Sequence, residues 1–173
     1  MTLKRAFWAV FSLTLLVYLA MVLWSLPIIS ADADGLLPFD LRPQGYSAKD
    51  ARQFLSALSE AGRAQYLGWQ HFLDSFYPGL MALSLALAYF LLFPKKWAAA
   101  FSALAVLAAV FDWRENHAVA DMLRAGAASV DDEAISLASG LTQLKSATVT
   151  VAVTILLLGL VKLGWNRWKG RAS

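Results

Sequence analysis

The sequence predicts an all-α protein: an integral membrane four-helix bundle with a partly helical extracytoplasmic segment between the first and second helices. Three observations carry this reading. The 173 residues are 59% hydrophobic and only 16% charged. Soluble domains are roughly 45–50% apolar and about 25% charged, so lipid is the expected solvent. The longest charge-free run, Ala6 to Ile29, crosses a hydrocarbon core of about 30 Å at ~1.5 Å per residue, and three shorter ones follow it. The basic residues gather at the ends of those runs, as topology signals do.

Taken in order, Lys4 and Arg5 precede an uncharged run from Ala6 to Ile29, the first span. Ala31-Asp32-Ala33 resembles a signal-peptide cleavage site. The apolar run nevertheless exceeds the h-region of such peptides, about 7–15 residues, so an uncleaved span is expected. Residues 30–75 form an outer lid. Its first part, with Gly35, Pro38, Pro43 and Gly45, reads as irregular. Ser47 and Asp50 make a capping-box pattern that predicts a helix from about Ala48 to Ser59, with Ala51, Phe54, Leu55 and Leu58 on its apolar face. Gly62 is read as a break, followed by a helical pattern that carries His71 and Asp74 into the second span, 76–93. Pro78 lies near the start of that span, where a missing N–H matters least or kinks a longer helix. Pro94-Lys95-Lys96 makes a turn, and the third span covers about 97–117. A linker around Gly126 and a cap at Ser129 to Asp132 lead to the fourth span, about 143–163, extended outward from about Asp131. The whole is one domain, 1–173.

The composition also excludes chemistry. With no cysteine there is no disulfide, thiolate nucleophile or cysteine-held metal. A net charge of +3, spread over span ends, gives no nucleic-acid surface. Lys4/Arg5, Lys95/Lys96 and the Lys162–Arg171 tail fall on one side of a four-span topology. The positive-inside rule then puts both termini on the cytoplasmic side. Trp165 and Trp168 are expected interfacial anchors, and so are Tyr46, Tyr66, Trp69 and Tyr77 on the other side.

The polar groups concentrate at one depth. The uncharged stretch from Trp97 ends in Phe111-Asp112-Trp113-Arg114-Glu115-Asn116-His117. By helix rise, Asp112 stands ~22 Å and Glu115 ~27 Å above Trp97. Asp74 and Tyr77 in the second span and Lys145 in the fourth come to the same level between antiparallel neighbours. Asp112, Glu115 and Asn116, at i, i+3 and i+4, share one helix face, while His117 points toward the water boundary. A carboxylate at this depth needs a cation, Lys145 or Arg42, or a proton. The plainer reading is that the trio pins helices together through hydrogen bonds and ion pairs. A metal set of His71, Asp74, Asp112 and His117 is a weaker alternative, because the HExxH type of spacing is missing. No cofactor is predicted.

A set of motifs points further. Asp40-Leu41-Arg42-Pro43-Gln44-Gly45-Tyr46-Ser47, Tyr66-Leu67, Leu73-Asp74 with Tyr77-Pro78, Asp112-x-x-Glu115-Asn116 and Thr142-x-x-Lys145 together resemble a family of small bacterial four-span inner-membrane proteins of unassigned function. The resemblance spans Asp40 to Lys145. It marks Arg42, Tyr46, Asp74, Tyr77, Pro78, Asp112, Glu115, Asn116, Thr142 and Lys145 as pattern positions; His71 and His117 are not among them. Two classes of function follow. In one, the bundle binds a lipid or hydrophobic ligand, or serves a membrane partner or a second copy, through Asn116, Asp74, Tyr77, Lys145, Arg42 and Tyr46. In the other it is an intramembrane acid/base enzyme, isomerase- or hydrolase-like, acting on a lipid or isoprenoid. Asp112 or Glu115 would then be the catalytic acid/base, and Lys145 or Arg42 would bind an anionic headgroup.

Overall fold

A computed structural model describes residues 2–169. Arg171, counted above in the basic tail, lies outside them. Four long helices, α1 (Leu3–Asp32), α3 (Glu60–Leu92), α4 (Lys95–Ala125) and α5 (Asp132–Lys169), are joined by the short α2 (Ala48–Ala57). All four long helices are apolar enough to cross a membrane. The chain is an all-α multi-pass membrane bundle. Helix α3 is its centre, packed against α1 and α4 along its length and against α5 as well, while α4 also packs on α5.

The helices outrun the spans. Helix α4 has 31 residues, α3 has 33 and α5 has 38. At ~1.5 Å per residue each exceeds a ~30 Å core by ten ångströms or more. The excess stands at the end that carries α2, and there it builds a second core. Phe39, Phe54, Leu55 and Tyr66 pack with Ile29 of α1, Met122 and Leu123 of α4, and Ile135 of α5. A separate core deeper in the bundle holds Met81, Leu85, Tyr89, Ala105, Ala109 and Ala152. The polar side chains lie in the layer between the two.

The lid is shorter than 30–75. Helix α3 begins at Glu60, and Gly62 lies inside it. The break falls at Leu58, which is extended (φ −70°, ψ 120°), and Ser59 caps the new helix by accepting from Gly62 N at 3.2 Å. Asp32, at the end of α1, holds that cap: its carboxylate accepts from Ser59 N at 2.9 Å and from Ser59 Oγ at 2.6 Å. A Cβ on Gly62 would collide with the Asp32 carboxylate, so the glycine serves close approach and not a turn.

The remaining local signals read out simply. Ser47 and Asp50 form the expected capping box, and Ala51, Phe54 and Leu55 are the buried face of α2. Within the expected Ser129–Asp132 cap it is Asp131 that caps α5: its Oδ1 accepts from Ala134 N at 2.6 Å. Helix α4 stops at Gly126, whose φ of +74° is left-handed. Two widened π turns interrupt the long helices. In α1 the turn Met21–Ser25 precedes Pro27, which has no N–H for the carbonyl four residues back, and Leu26 N reaches back to Met21 O instead. In α3 the turn is Tyr66–Gln70, with His71 N reaching Tyr66 O. The two turns pack against each other, with Gln65 Nε2 3.3 Å from Ser25 Oγ.

The cap is tied down mainly to α5. Tyr46 N donates to Ser139 Oγ at 2.8 Å, Gln143 Nε2 to Gln44 O at 2.8 Å, and Arg52 pairs with Asp132 at 2.6 Å. Gly45, at φ +79°, passes so close that a Cβ would stand 2.6 Å from Gln143 Nε2 and Ser139 Oγ.

Candidate functional site

Pro78 sits inside α3, so the carbonyl of Asp74, four residues earlier, loses its helical donor. Asn116 of α4 supplies one: its Nδ2 donates to Asp74 O at 3.1 Å. Beside it, Trp113 Nε1 donates to Ser75 O at 2.9 Å. The proline and the Asp-x-x-Glu-Asn face thus form one joint between α3 and α4, and it fixes Asp74 next to Asp112.

Helix α5 completes the joint. Lys145 Nζ lies 3.2 Å from Asp112 Oδ1 and also contacts Glu115 Oε2. Thr142, one turn earlier, donates its hydroxyl to Glu115 Oε1 at 2.5 Å. Side-chain exposure is 14% for Lys145, 4% for Asp112 and 0% for Glu115. Glu115 is therefore enclosed by its partners. Asp112, Asp74 and Lys145 face a cavity of about 190 Å³, bounded above by Asp40 and Leu41 of the cap and on one side by Tyr18, Met21 and Leu26 of α1.

Arg42 is not in this site. Its Nε and Nη2 donate to Leu37 O at 2.9 and 2.6 Å, and its guanidinium lies over the rings of Phe39, Tyr46 and Phe54 at 5.6–5.9 Å. The tight turn at Phe39–Leu41 folds Arg42 back onto the cap and sends Asp40 inward. Pairing of Arg42 with Asp112 or Glu115 is overturned by that turn. Tyr46 packs on Phe39 with ring centroids 4.7 Å apart. Its hydroxyl is buried without a partner, and burial, with Glu115 nearby, pushes the phenol well above its ordinary range. Tyr77 stacks on Tyr18 of α1, centroids 5.8 Å apart, at the lower edge of the cavity.

Three further residues belong to this layer and are not among the predicted site residues, although Asp40 and Tyr66 stand in the quoted motifs. Asp40 lines the cavity, and Tyr66 donates its hydroxyl to the Asp40 carboxylate while accepting from Phe39 N at 3.1 Å. Tyr66 is 3% exposed and is a core residue, not a belt aromatic; Trp69, 56% exposed and edge-on to Trp24, fits the belt. Gln70 is fully buried, and neither amide atom has a partner. It lines a void of about 10 Å³ with Asp40, Tyr66, Asp74 and Asn116. The signal was available: Tyr66, Gln70 and Asp74 stand four residues apart and share a helix face.

The metal alternative has no ligand geometry. The rings of His71 and His117 meet edge-on at 6.1 Å, while Asp74 and Asp112 line the cavity under the cap. Among the described residues no three His, Asp or Glu side chains converge as ligands.

Below the Tyr18–Tyr77 pair, a cleft of about 240 Å³ continues between α1 and α5, floored by α3. Phe7, Phe11, Leu15, Leu85, Val153 and Leu156 line it. Its one inter-helix polar contact, Thr14 Oγ1 to Ser84 Oγ at 2.8 Å, is internally satisfied. Tyr18, Tyr77 and Met81 line both spaces, so the polar cavity and the apolar cleft meet at that neck.

The fold and this layer define a class: a multi-pass helical membrane protein with a buried carboxylate–lysine cluster at one end of its bundle. Comparison with protein-family models, curated proteins and solved structures finds no match.

Proposed function

We propose that the protein binds a membrane amphiphile, with the headgroup in the polar cavity under the cap and the hydrocarbon in the cleft between α1 and α5. The observation that carries this is the continuity of the two spaces at Tyr18, Tyr77 and Met81. A brace alone needs no cavity. In this reading the cap faces outward from a bacterial inner membrane and both termini are cytoplasmic, as the basic residues at Lys4/Arg5 and Lys95/Lys96 favour. Membership of the four-span family belongs to the same proposal. Its support is that pattern residues from three helices, Asp74, Asp112, Asn116, Thr142 and Lys145 among them, meet in one layer.

The test is copurification. Protein extracted with its native lipid and analysed by native mass spectrometry is expected to retain one amphiphile per chain. Val153→Trp, at a partly exposed cleft wall, is expected to release it. Equal lipid retention by both proteins would refute the reading.

One observation favours a catalytic variant. Asp74 is 5% exposed, lines the cavity, and its carboxyl meets that of Asp40 there. In an acid/base enzyme Asp74, with Asp112 beside it, would hold the moving proton, because Glu115 is enclosed by Lys145 and Thr142. Deletion of the gene, complemented by wild type but not by Asp74→Asn, would then change the membrane's lipid or isoprenoid profile; an unchanged profile eliminates this variant.

A further inference from the structure

We propose that the head accepted by the cavity is a cation: an alkylammonium group on a hydrocarbon chain, with no phosphate or carboxylate beside the nitrogen. The proposal rests on the cleft reading above and gives the ligand its chemical class.

The first argument is charge. Asp40, Asp74, Asp112 and Glu115 converge on one layer, and the cation among them is Lys145. Arg42, the nearest other candidate, is bound to Leu37 O. Lys145 is committed to Asp112 and Glu115, which leaves Asp40 and Asp74. Asp40 receives the neutral hydroxyl of Tyr66 and meets the Asp74 carboxyl side by side, so two acidic groups face each other with no cation between them. Carboxylates buried at membrane depth call for a compensating cation or proton. An anionic headgroup would instead meet three carboxyl groups, with the only ammonium already occupied.

The second argument is independent of charge. Gln70 is wholly buried beside Asp40 and Asp74, with both amide atoms unpartnered. Buried amides are nearly always hydrogen-bonded, so an orphaned one on the void marks a place for an unbound group or for water. The void has room for about one water, through which the Gln70 carbonyl can accept from an N–H held between Asp40 and Asp74, the two residues that line both spaces. Third, the neck below is lined by Tyr18 and Tyr77. Aromatic rings favour an alkylammonium over an alcohol or an acid of the same chain length.

The experiment uses the full chain in phosphatidylcholine nanodiscs at neutral pH. Oleylamine, oleyl alcohol and oleic acid are titrated separately, and bound ligand is counted by native mass spectrometry. The expected result is one saturable oleylamine site, about tenfold or more tighter than oleyl alcohol, with oleate weakest. Asp74→Asn should weaken oleylamine by about tenfold and leave oleyl alcohol unchanged. Asp40→Asn, in the cap, should act in the same direction and serves if the first variant does not fold. Equal binding of amine and alcohol overturns the proposal, as does indifference of amine binding to both substitutions. Val153→Trp separates the two levels. If it abolishes binding of both probes while the aspartate variants do nothing, the cleft reading stands and the cationic head falls. If it abolishes neither, the cleft reading itself falls.

Discussion

Replacing Lys145 with methionine removes the cation from a site that is almost sealed. Glu115 has no exposed side-chain surface, Asp112 has 4%, and Lys145 itself has 14%. Water cannot easily take the place of the ammonium. Removing one partner of a buried ion pair costs about 3–5 kcal/mol, because the other charge is left buried and uncompensated. Here two carboxylates lose their partner, so the upper part of that range is expected. Against a typical total stability of about 5–15 kcal/mol the loss is large. At roughly 2–4 °C per kcal/mol for a chain of this size, a loss of about 4–5 kcal/mol in Lys145→Met should lower the unfolding temperature by roughly 8–20 °C. The assay is thermal unfolding in mild detergent followed by tryptophan fluorescence. The decisive comparison is the triple variant Lys145→Met, Glu115→Gln, Asp112→Asn. Replacing a whole buried ion cluster by neutral groups of similar volume is often nearly neutral, so most of the loss should return. If the single variant falls within about 1 kcal/mol of wild type, or the triple is no better than the single, the cluster is not a buried ionic joint.

Further outcomes follow from the joints around it. Asn116→Ala leaves the Asp74 carbonyl without a donor and should cost about 1–3 kcal/mol; in a Pro78→Ala background, where residue 78 regains its N–H, the same change should cost clearly less in a double-mutant cycle of unfolding temperatures. Gly62→Ala drives a methyl into the Asp32 carboxylate and should loosen the junction of α1 with α3, seen as faster hydrogen exchange at Ser59 and Gly62; Asp32→Ala should relieve part of the effect. Tyr46→Phe removes a hydroxyl that has no partner and should change stability little at neutral pH. The sign in alkali follows from the raised phenol. Below the unfolded-state value of about 10 both states keep the proton, and above it only the unfolded state releases it. Wild type should therefore lose stability as pH rises past about 10, and Tyr46→Phe should lose less, measured as unfolding temperature against pH.

The sequence made the bundle legible because lipid imposes a crude code. Four charge-free runs with basic ends could hardly be anything but spans, and Ser47 with Asp50 announced α2 because a capping box is a purely local interaction. The ends of the helices were not legible. The helical pattern after Gly62 is readable, but it reads as part of the lid and the third span as ending near 117; packing on the cap instead makes 60–75 and 118–125 continuous parts of α3 and α4. Gly62 misled for the same reason: its role is set by Asp32, thirty residues away in the chain. The π turns were invisible, since one extra residue in a turn leaves no mark on composition. Within the site, the i, i+3, i+4 face of Asp112, Glu115 and Asn116 was readable and so was the level of Lys145. The direction of Arg42 was not, because a single tight turn at Phe39–Leu41 decides whether residue 40 or residue 42 faces inward.

The polar layer divides into two halves with different physical characters. Glu115, Thr142, Lys145 and Asn116 each have a protein partner, Thr142 and Lys145 on Glu115 and Asn116 on Asp74 O, and together they pin α3, α4 and α5. Such a set would suffice as a brace, and it lies between two apolar cores that already hold the helices in register. Gln70, on the face of α3 toward the cap, has no partner on either amide atom, and Asp74 beside it meets the Asp40 carboxyl; they adjoin the void and the cavity. A brace gains nothing from them, because a buried polar group without a partner costs stability, and replacement by Leu or Met would recover it. Pro78 belongs to the same side of the account. It breaks a helical hydrogen bond that Asn116 must then replace, and the result is to hold the Asp74 backbone rigidly where its side chain meets Asp40 and Asp112. Stability is given up at Gln70 and at the facing Asp40 and Asp74 carboxyls while rigidity around them is secured, which supports the proposed binding site over a core that happens to be polar.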